Sequence, residues 1–201
     1  MVLFVIEAES RETPEYVFLE TLIQKVGGFV AYEILPVRGW TNLCQPAILM
    51  RMTLNSREGG KNIVVFDADR DFAARKQQLI EALAEKTVTA DLFLWPNNQS
   101  AGNLETLLLD IARKDLHPVF FDCFSDYEAC ISSVKNADGT SKYNTPNTKG
   151  KLHTYITSMP LSNKERKHFG RGNWLFDDQD YWCLDDDALT PVLDFLHMVL
   201  D

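Results

Sequence analysis

The sequence predicts an α/β fold in which a mainly parallel sheet is flanked by helices, followed by a helical carboxy-terminal extension. Three observations carry that prediction. Residues 2–6 and 62–66 are short apolar runs with no polar alternation, the pattern of strands buried on both faces. Each run empties into acid and is followed by a segment with helical spacing. Strand and helix signals then alternate as far as about residue 113, the order of a layered parallel sheet.

Taken in order, Val2 to Ile6 is the first strand. Thr13 is placed to cap the next helix and Pro14 suits its first position; Tyr16, Val17, Leu19, Leu22, Ile23 and Val26 recur at helical spacing until Gly27-Gly28. Residues 29–37 form a second strand and 41–57 a second helix, whose start is disturbed by Pro46. The clearest strand, 62–66, runs into Asp67-Ala68-Asp69-Arg70-Asp71. A helix over 72–86 follows, with Phe72, Leu79, Ile80 and Leu83 on one side. The strand 91–95 and a helix over 103–113 complete the alternating part. Beyond it, 120–134, 151–158 and 189–200 read as helices and 136–148 as a polar loop. The expected organisation is an α/β core over 1–115 and a helical extension over 116–201 packed on the same core.

Composition narrows the class. The chain has 201 residues, is 45% hydrophobic and 24% charged, and carries a net charge of −9, which disfavours a general affinity for polyanions. The six apolar residues at the amino terminus run directly into Glu7 and read as a strand rather than a leader. No run approaches the roughly 20 apolar residues that cross a bilayer, so no membrane association is expected. Cys44, Cys123, Cys130 and Cys183 lack metal or redox spacing; they read as reduced core residues of a cytoplasmic protein. Charge is unevenly spread: residues 142–171 hold seven Lys and Arg against one acid, and residues 172–201 hold eight Asp and no Lys or Arg. The basic segment is either a phosphate-binding face or a partner for the acidic tail.

The chemistry concentrates in three acids. Ligands of a parallel α/β sheet bind beyond the carboxyl ends of its strands, and Glu7, Asp67 and Asp69 all follow buried strands. Two aspartates one residue apart, where the chain leaves a strand, can turn toward one ion. A third carboxylate across the sheet completes an all-oxygen site suited to Mg²⁺ or Mn²⁺.

Two of these segments carry a family resemblance. Val5-Ile6-Glu7-Ala8, followed by a helix, and Val64-Val65-Phe66-Asp67-Ala68-Asp69 resemble the apolar-Glu-Gly and Asp-x-Asp motifs of the TOPRIM domain of topoisomerases, bacterial primases and OLD-family nucleases. A third block, Leu92-Phe93-Leu94-Trp95-Pro96-Asn97-Asn98 through Gly102-Asn103-Leu104-Glu105-Thr106-Leu107-Leu108, is similar to small stand-alone TOPRIM-like bacterial proteins. The match covers residues 2–113 and implies a Rossmann-like TOPRIM core. It implies Glu7 as a metal ligand or general acid/base and Asp67 and Asp69 as a metal-binding pair. Glu105 falls where OLD-like nucleases place a further metal-binding acid, or is a glutamate favoured by the helix dipole. A catalytic lysine is implied in the stretch holding Lys149 and Lys151. The chain departs from the family at Ala8, where Gly is usual, and at Arg11, where OLD-like proteins carry Asp; Asp71 reads as a helix cap.

The function expected from this pattern is metal-dependent hydrolysis of phosphodiester bonds in nucleic acid. No Gly-x-x-x-x-Gly-Lys loop is present, so a protein partner would supply any ATPase or targeting function. The alternative is a non-catalytic module that binds metal, nucleotide or a partner. Tyr143, Tyr155, Phe169 and Trp174, near the basic segment, either stack on unpaired bases or anchor the extension to the core.

Overall fold

A strand with no polar face must be covered on both sides, and the two unbroken apolar runs accordingly occupy the middle of the sheet. A computed structural model describes residues 1–28 and 30–200. Strands β1 (Val2–Glu7), β2 (Tyr32–Val37), β3 (Lys61–Asp67) and β4 (Asp91–Trp95) form one sheet, all parallel, in the order β2-β1-β3-β4. Phe29, the first residue of the expected second strand, lies outside the described residues, as does Asp201 of the acidic tail.

Between the strands run α1 (Pro14–Val26), α2 (Pro46–Arg57) and α3 (Phe72–Glu85), and α4 (Leu104–Ile111) follows β4. The helices divide between two faces because the strands alternate. Phe4, Ile6, Ile63, Val65, Phe93 and Trp95 point into a core shared with α1 and α4. Leu3, Val5, Val64, Phe66 and Leu94 point the other way, into a smaller core with Leu43, Met52, Leu79 and Leu83. The helices after β1 and β3 thus leave toward opposite faces, which opens a crevice between the carboxyl ends of those two strands.

The remaining helices, α5 (Pro118–Ser133), α6 (Thr148–Thr157), α7 (Asn163–Phe169) and α8 (Thr190–Leu200), cover the α1/α4 face. Leu152, Tyr155, Ile156, Phe176, Trp182, Leu196 and Val199 belong to the same buried cluster as Phe4 and Ile6. Phe18 of α1 lies 4.9 Å from Phe176 and 5.9 Å from Trp95, ring centre to ring centre, within the range of favourable aromatic pairing. None of the described helices is long and apolar enough to cross a membrane.

Several local expectations are corrected. Pro46 does not disturb a helix over 41–57 but begins one, where its missing N–H costs nothing; Trp40–Asn42 is a separate 3-10 turn. Ile80 is 45% exposed rather than on the buried side of α3. The cysteines are not core residues: Cys123 and Cys130 are exposed, Cys44 and Cys183 half-buried, and all four are free. Helix α7 was not anticipated, although Ser162-x-x-Glu165 spells its capping box. Ser162 Oγ accepts from the Glu165 N–H at 3.3 Å, and Glu165 Oε2 accepts from the Ser162 N–H at 2.6 Å.

Gly172, after α7, ties the cover to the loop between β1 and α1. Its φ is +82°, and a Cβ there would stand 1.9 Å from the carbonyl oxygen of Glu12. Left-handed backbone alone costs a non-glycine residue about 1–2 kcal/mol, and the backbone clash adds to it. Gly172→Ala is expected to lower the melting temperature by several degrees in circular dichroism, while Gly139→Ala, also at positive φ but with open space around it, loses only the backbone term.

Candidate functional site

The crevice between β1 and β3 is edged with charge. Glu7 ends β1 and Asp67 ends β3, and the sheet pleat sends them to opposite sides. Glu7 shares the side of Leu3 and Val5, toward α3, where Arg75 Nη2 stands 3.3 Å from its Oε2 and the Trp40 N–H donates to its Oε1 at 3.3 Å. Asp67 shares the side of Ile63 and Val65, toward α4, and its Oδ1 accepts the Leu104 N–H at 3.0 Å. That bond satisfies one of the donors left free at the start of α4.

Asp69 lies past the strand end with φ +55°, a conformation Asp tolerates better than most residues. Its carbonyl accepts the Gly102 N–H at 2.7 Å, and its Oδ2 is 3.2 Å from Arg75 Nη2. Asp71 caps α3, accepting from the Ala74 N–H at 3.0 Å, as the sequence suggested.

Arg75 is the residue that sequence reasoning missed. It is 8% exposed, bridges Glu7 and Asp69, donates to the Asp67 carbonyl at 3.3 Å and sits 5.5 Å from the centre of the Trp40 ring. Its only sequence signal is its place one turn into the helix that follows the Asp-x-Asp motif.

On the other side, Glu105, in the first turn of α4, is 8% exposed. Lys149, from α6, reaches it at 3.0 Å and Glu15 at 3.5 Å. Of the two lysines singled out, only Lys149 comes to this edge. Lys151 pairs with Glu128 of α5 at 3.0 Å and lies over the Phe124 ring, because two residues along a helix turn it to another face. No ion pair among the described residues joins the basic segment to the acidic tail; Asp185 of the tail pairs with Lys25 of α1. Tyr155, Phe169 and Trp174 are buried and anchor the cover, which leaves Tyr143 as the exposed aromatic of that group.

Two clefts open at this edge. One, of about 430 Å³, joins Glu7, Glu9, Glu15, Arg38 and Lys149. The other, of about 540 Å³, is lined by Asp69, Arg70, Asp71, Arg75 and Gln78. Glu7, Asp67, Asp69 and Glu105 thus gather around Arg75 and Lys149, more anions than cations. Asp67 shows the imbalance: burial first, then the charges of Glu105, Glu7 and Asp69, raise its carboxyl to about 7 against the lowering effect of the Leu104 N–H. Burial also raises Glu7, with Arg75 opposing and Asp69 adding to the rise. At Lys149, burial works against the charge, and Glu105 and Glu15 overcome it to raise its pKa.

As a donor set these hard carboxylate oxygens, left short of positive charge, fit a divalent cation. As the side chains now stand, no three His, Cys, Asp or Glu among the described residues are grouped to hold one. The pleat separates Glu7 from Asp67, and Arg75 fills the space between Glu7 and Asp69.

Fold and edge together define a parallel α/β protein with an acidic crevice at the point where its helices diverge. A family profile described as "Protein of unknown function (DUF3226)" matches residues 16–201, and the chain belongs to that family. Asp67, Asp69, Arg75, Glu105 and Lys149 fall within the match and Glu7 precedes it. No curated protein and no solved structure matches the chain.

The raised pKa of Asp67 has a measurable consequence. An acid whose pKa rises on folding, here from 3.8 to about 7, binds a proton more readily in the folded than in the unfolded chain across that window. Stability therefore falls as pH rises from about 4 to 7 and levels off above. Asp67→Asn keeps the acceptor for Leu104 and removes the charge. The stability difference, variant minus wild type, is expected to grow across that range without added metal, by an amount on the order of 1–4 kcal/mol at about 1.4 kcal/mol per unit. A difference that stays flat with pH in chemical denaturation contradicts the assignment.

Proposed function

We propose that this edge is a divalent-metal site for hydrolysing phosphodiester bonds in nucleic acid, with Asp67, Asp69 and Glu7 as ligands and Glu105 in support. The observation that carries the reading is the gathering of four carboxylates, undercompensated by cations, at the divergence of the β1 and β3 helices. The resemblance of the Glu7 and Asp67-Ala68-Asp69 segments to TOPRIM motifs points the same way. Mg²⁺ or Mn²⁺ held there would supply a Lewis acid for the phosphate and a water of lowered pKa.

The chain's own residues do the rest. Arg38 and Lys149 line the cleft beside Glu7 and would hold the phosphate oxygens and offset the charge that develops on them. With a net charge of −9, the surface as a whole repels a polyanion, so contact is confined to the cleft, and a partner protein would deliver the substrate or any motor function.

Calorimetric titration with Mn²⁺, followed by incubation with plasmid, single-stranded DNA and RNA, tests this. Wild type is expected to bind and to cleave at least one of the three. Asp67→Asn should lose at least about tenfold in Mn²⁺ affinity, the scale seen when a metal site is disturbed, and lose cleavage with it. Lys149→Ala should leave Mn²⁺ affinity unchanged and slow cleavage about 10²-fold, the size of one lost charge-stabilising donor. Cleavage untouched by both substitutions rules the reading out.

Arg75 favours a second reading, a module that binds a nucleotide or a partner without catalysis. Its buried guanidinium already bridges Glu7 and Asp69, as a built-in cation would. On that reading wild type takes up no Mn²⁺ while Arg75→Met does, and neither cleaves.

A further inference from the structure

Helix α5 is 16 residues long, yet Phe124 is its one buried residue. About a quarter-turn round the helix from Phe124, Val119, Cys123, Tyr127, Cys130 and Val134 recur every three or four residues and so form one stripe. Val119 is 72% exposed, Tyr127 49% and Val134 38%, and both cysteines are exposed. Beside the stripe an apolar groove of about 520 Å³ runs between Phe120 and Phe124 on one side and Pro146 and Thr154 on the other. Aromatic contacts of Phe120 and Phe124 with each other, with Tyr155 and with Tyr127 fix the groove's wall.

We infer that this face pairs with the same face of a second copy of the chain, α5 against α5, antiparallel about a two-fold axis near Tyr127. The order of side chains suits such a pair. Read from either end the stripe is Val, Cys, Tyr, Cys, Val. A two-fold interface requires that when residue i meets j, j also meets i. An antiparallel pair then sets like side chains together, Val119 opposite Val134 and Cys123 opposite Cys130.

Charge suits it as well. Asp122 and Asp126 are exposed along one flank of the stripe. Just past its far end, Lys135 and Lys142 sit in a short hairpin held by the Lys142 N–H to the Val134 carbonyl at 3.0 Å, and Lys135 Nζ donates to Ser141 Oγ. Neither lysine has an acidic partner among the described residues. Antiparallel pairing carries the lysines of each copy beside Asp122 of the other and opposes the two helix dipoles. It also lays Cys130 and Val134 of the second copy over the groove at Val119 and Cys123.

A single helix face is smaller than the roughly 800 Å² per partner of a standard interface. The dimer is therefore weak and concentration-dependent. Sedimentation over a rising concentration series should show the average mass climbing from 22.9 kDa toward twice that value. Tyr127→Glu should hold it at the monomer with the fold retained in circular dichroism.

Pairing geometry is read with a short bis-maleimide cross-linker in a chain whose Cys44 and Cys183 are replaced by Ser. Adding Cys123→Ser or Cys130→Ser leaves one stripe thiol in each protein. Neither protein alone should be linked, while an equal mixture should yield a linked dimer that Tyr127→Glu abolishes. Self-linking of either protein, no link in the mixture, or monomer mass at every concentration overturns the inference.

Discussion

The parallel pairing of β1 with β3 is the constraint on which the rest of the molecule depends. Both strands are apolar on both faces, so they must lie inside the sheet with helices above and below. Because β2 and β4 flank them on either side, the helices that follow β1 and β3 leave in opposite directions. The crevice at their carboxyl ends is a result of that ordering. The acids at those ends, Glu7 and Asp67, are held there by register rather than by attraction. Removing the backbone pairing would scatter them, whereas neutralising one of them should leave the sheet standing.

Electrostatics at this edge is a balance between what burial forbids and what the fold imposes. Asp67 and Glu105 are placed under the cover by their strand and helix, and Lys149 comes from the extension to meet Glu105. Arg75 does the same for Glu7 and Asp69 from the other face of the sheet. Asp67 sits between these two pairs with a backbone N–H but no cationic partner among the described residues, and its carboxyl rises to about 7. A half-buried carboxylate without a cation beside it is a standing cost to stability, and such costs concentrate where a protein binds or reacts.

Much of this was legible in the sequence because the signals were local. The runs at 2–6 and 62–66 announce central strands, Pro14 and Asp71 mark helix starts, and the acids that close the strands mark the edge of the sheet. What was not legible is long-range. Arg75 reads as an ordinary helix residue until α3 is laid beside β1, and nothing in the spacing of Lys149 and Lys151 tells which one faces Glu105. Pro46 misled because the same residue breaks a helix interior and begins a helix. The stripe on α5 was hidden by its cysteines, which read as core residues and turn out to be exposed.

A divalent-metal site at the β1/β3 crevice requires Arg75 to withdraw from Glu7 and Asp69. A crystal structure of the protein grown with Mn²⁺, with anomalous data collected at a wavelength where manganese scatters, tests it most directly. The metal site proposed here gives an anomalous peak within coordination distance of Asp67 and at least one of Glu7 and Asp69, with the Arg75 guanidinium turned away from Glu7. No peak at the crevice, with Arg75 still bridging Glu7 and Asp69, would contradict it.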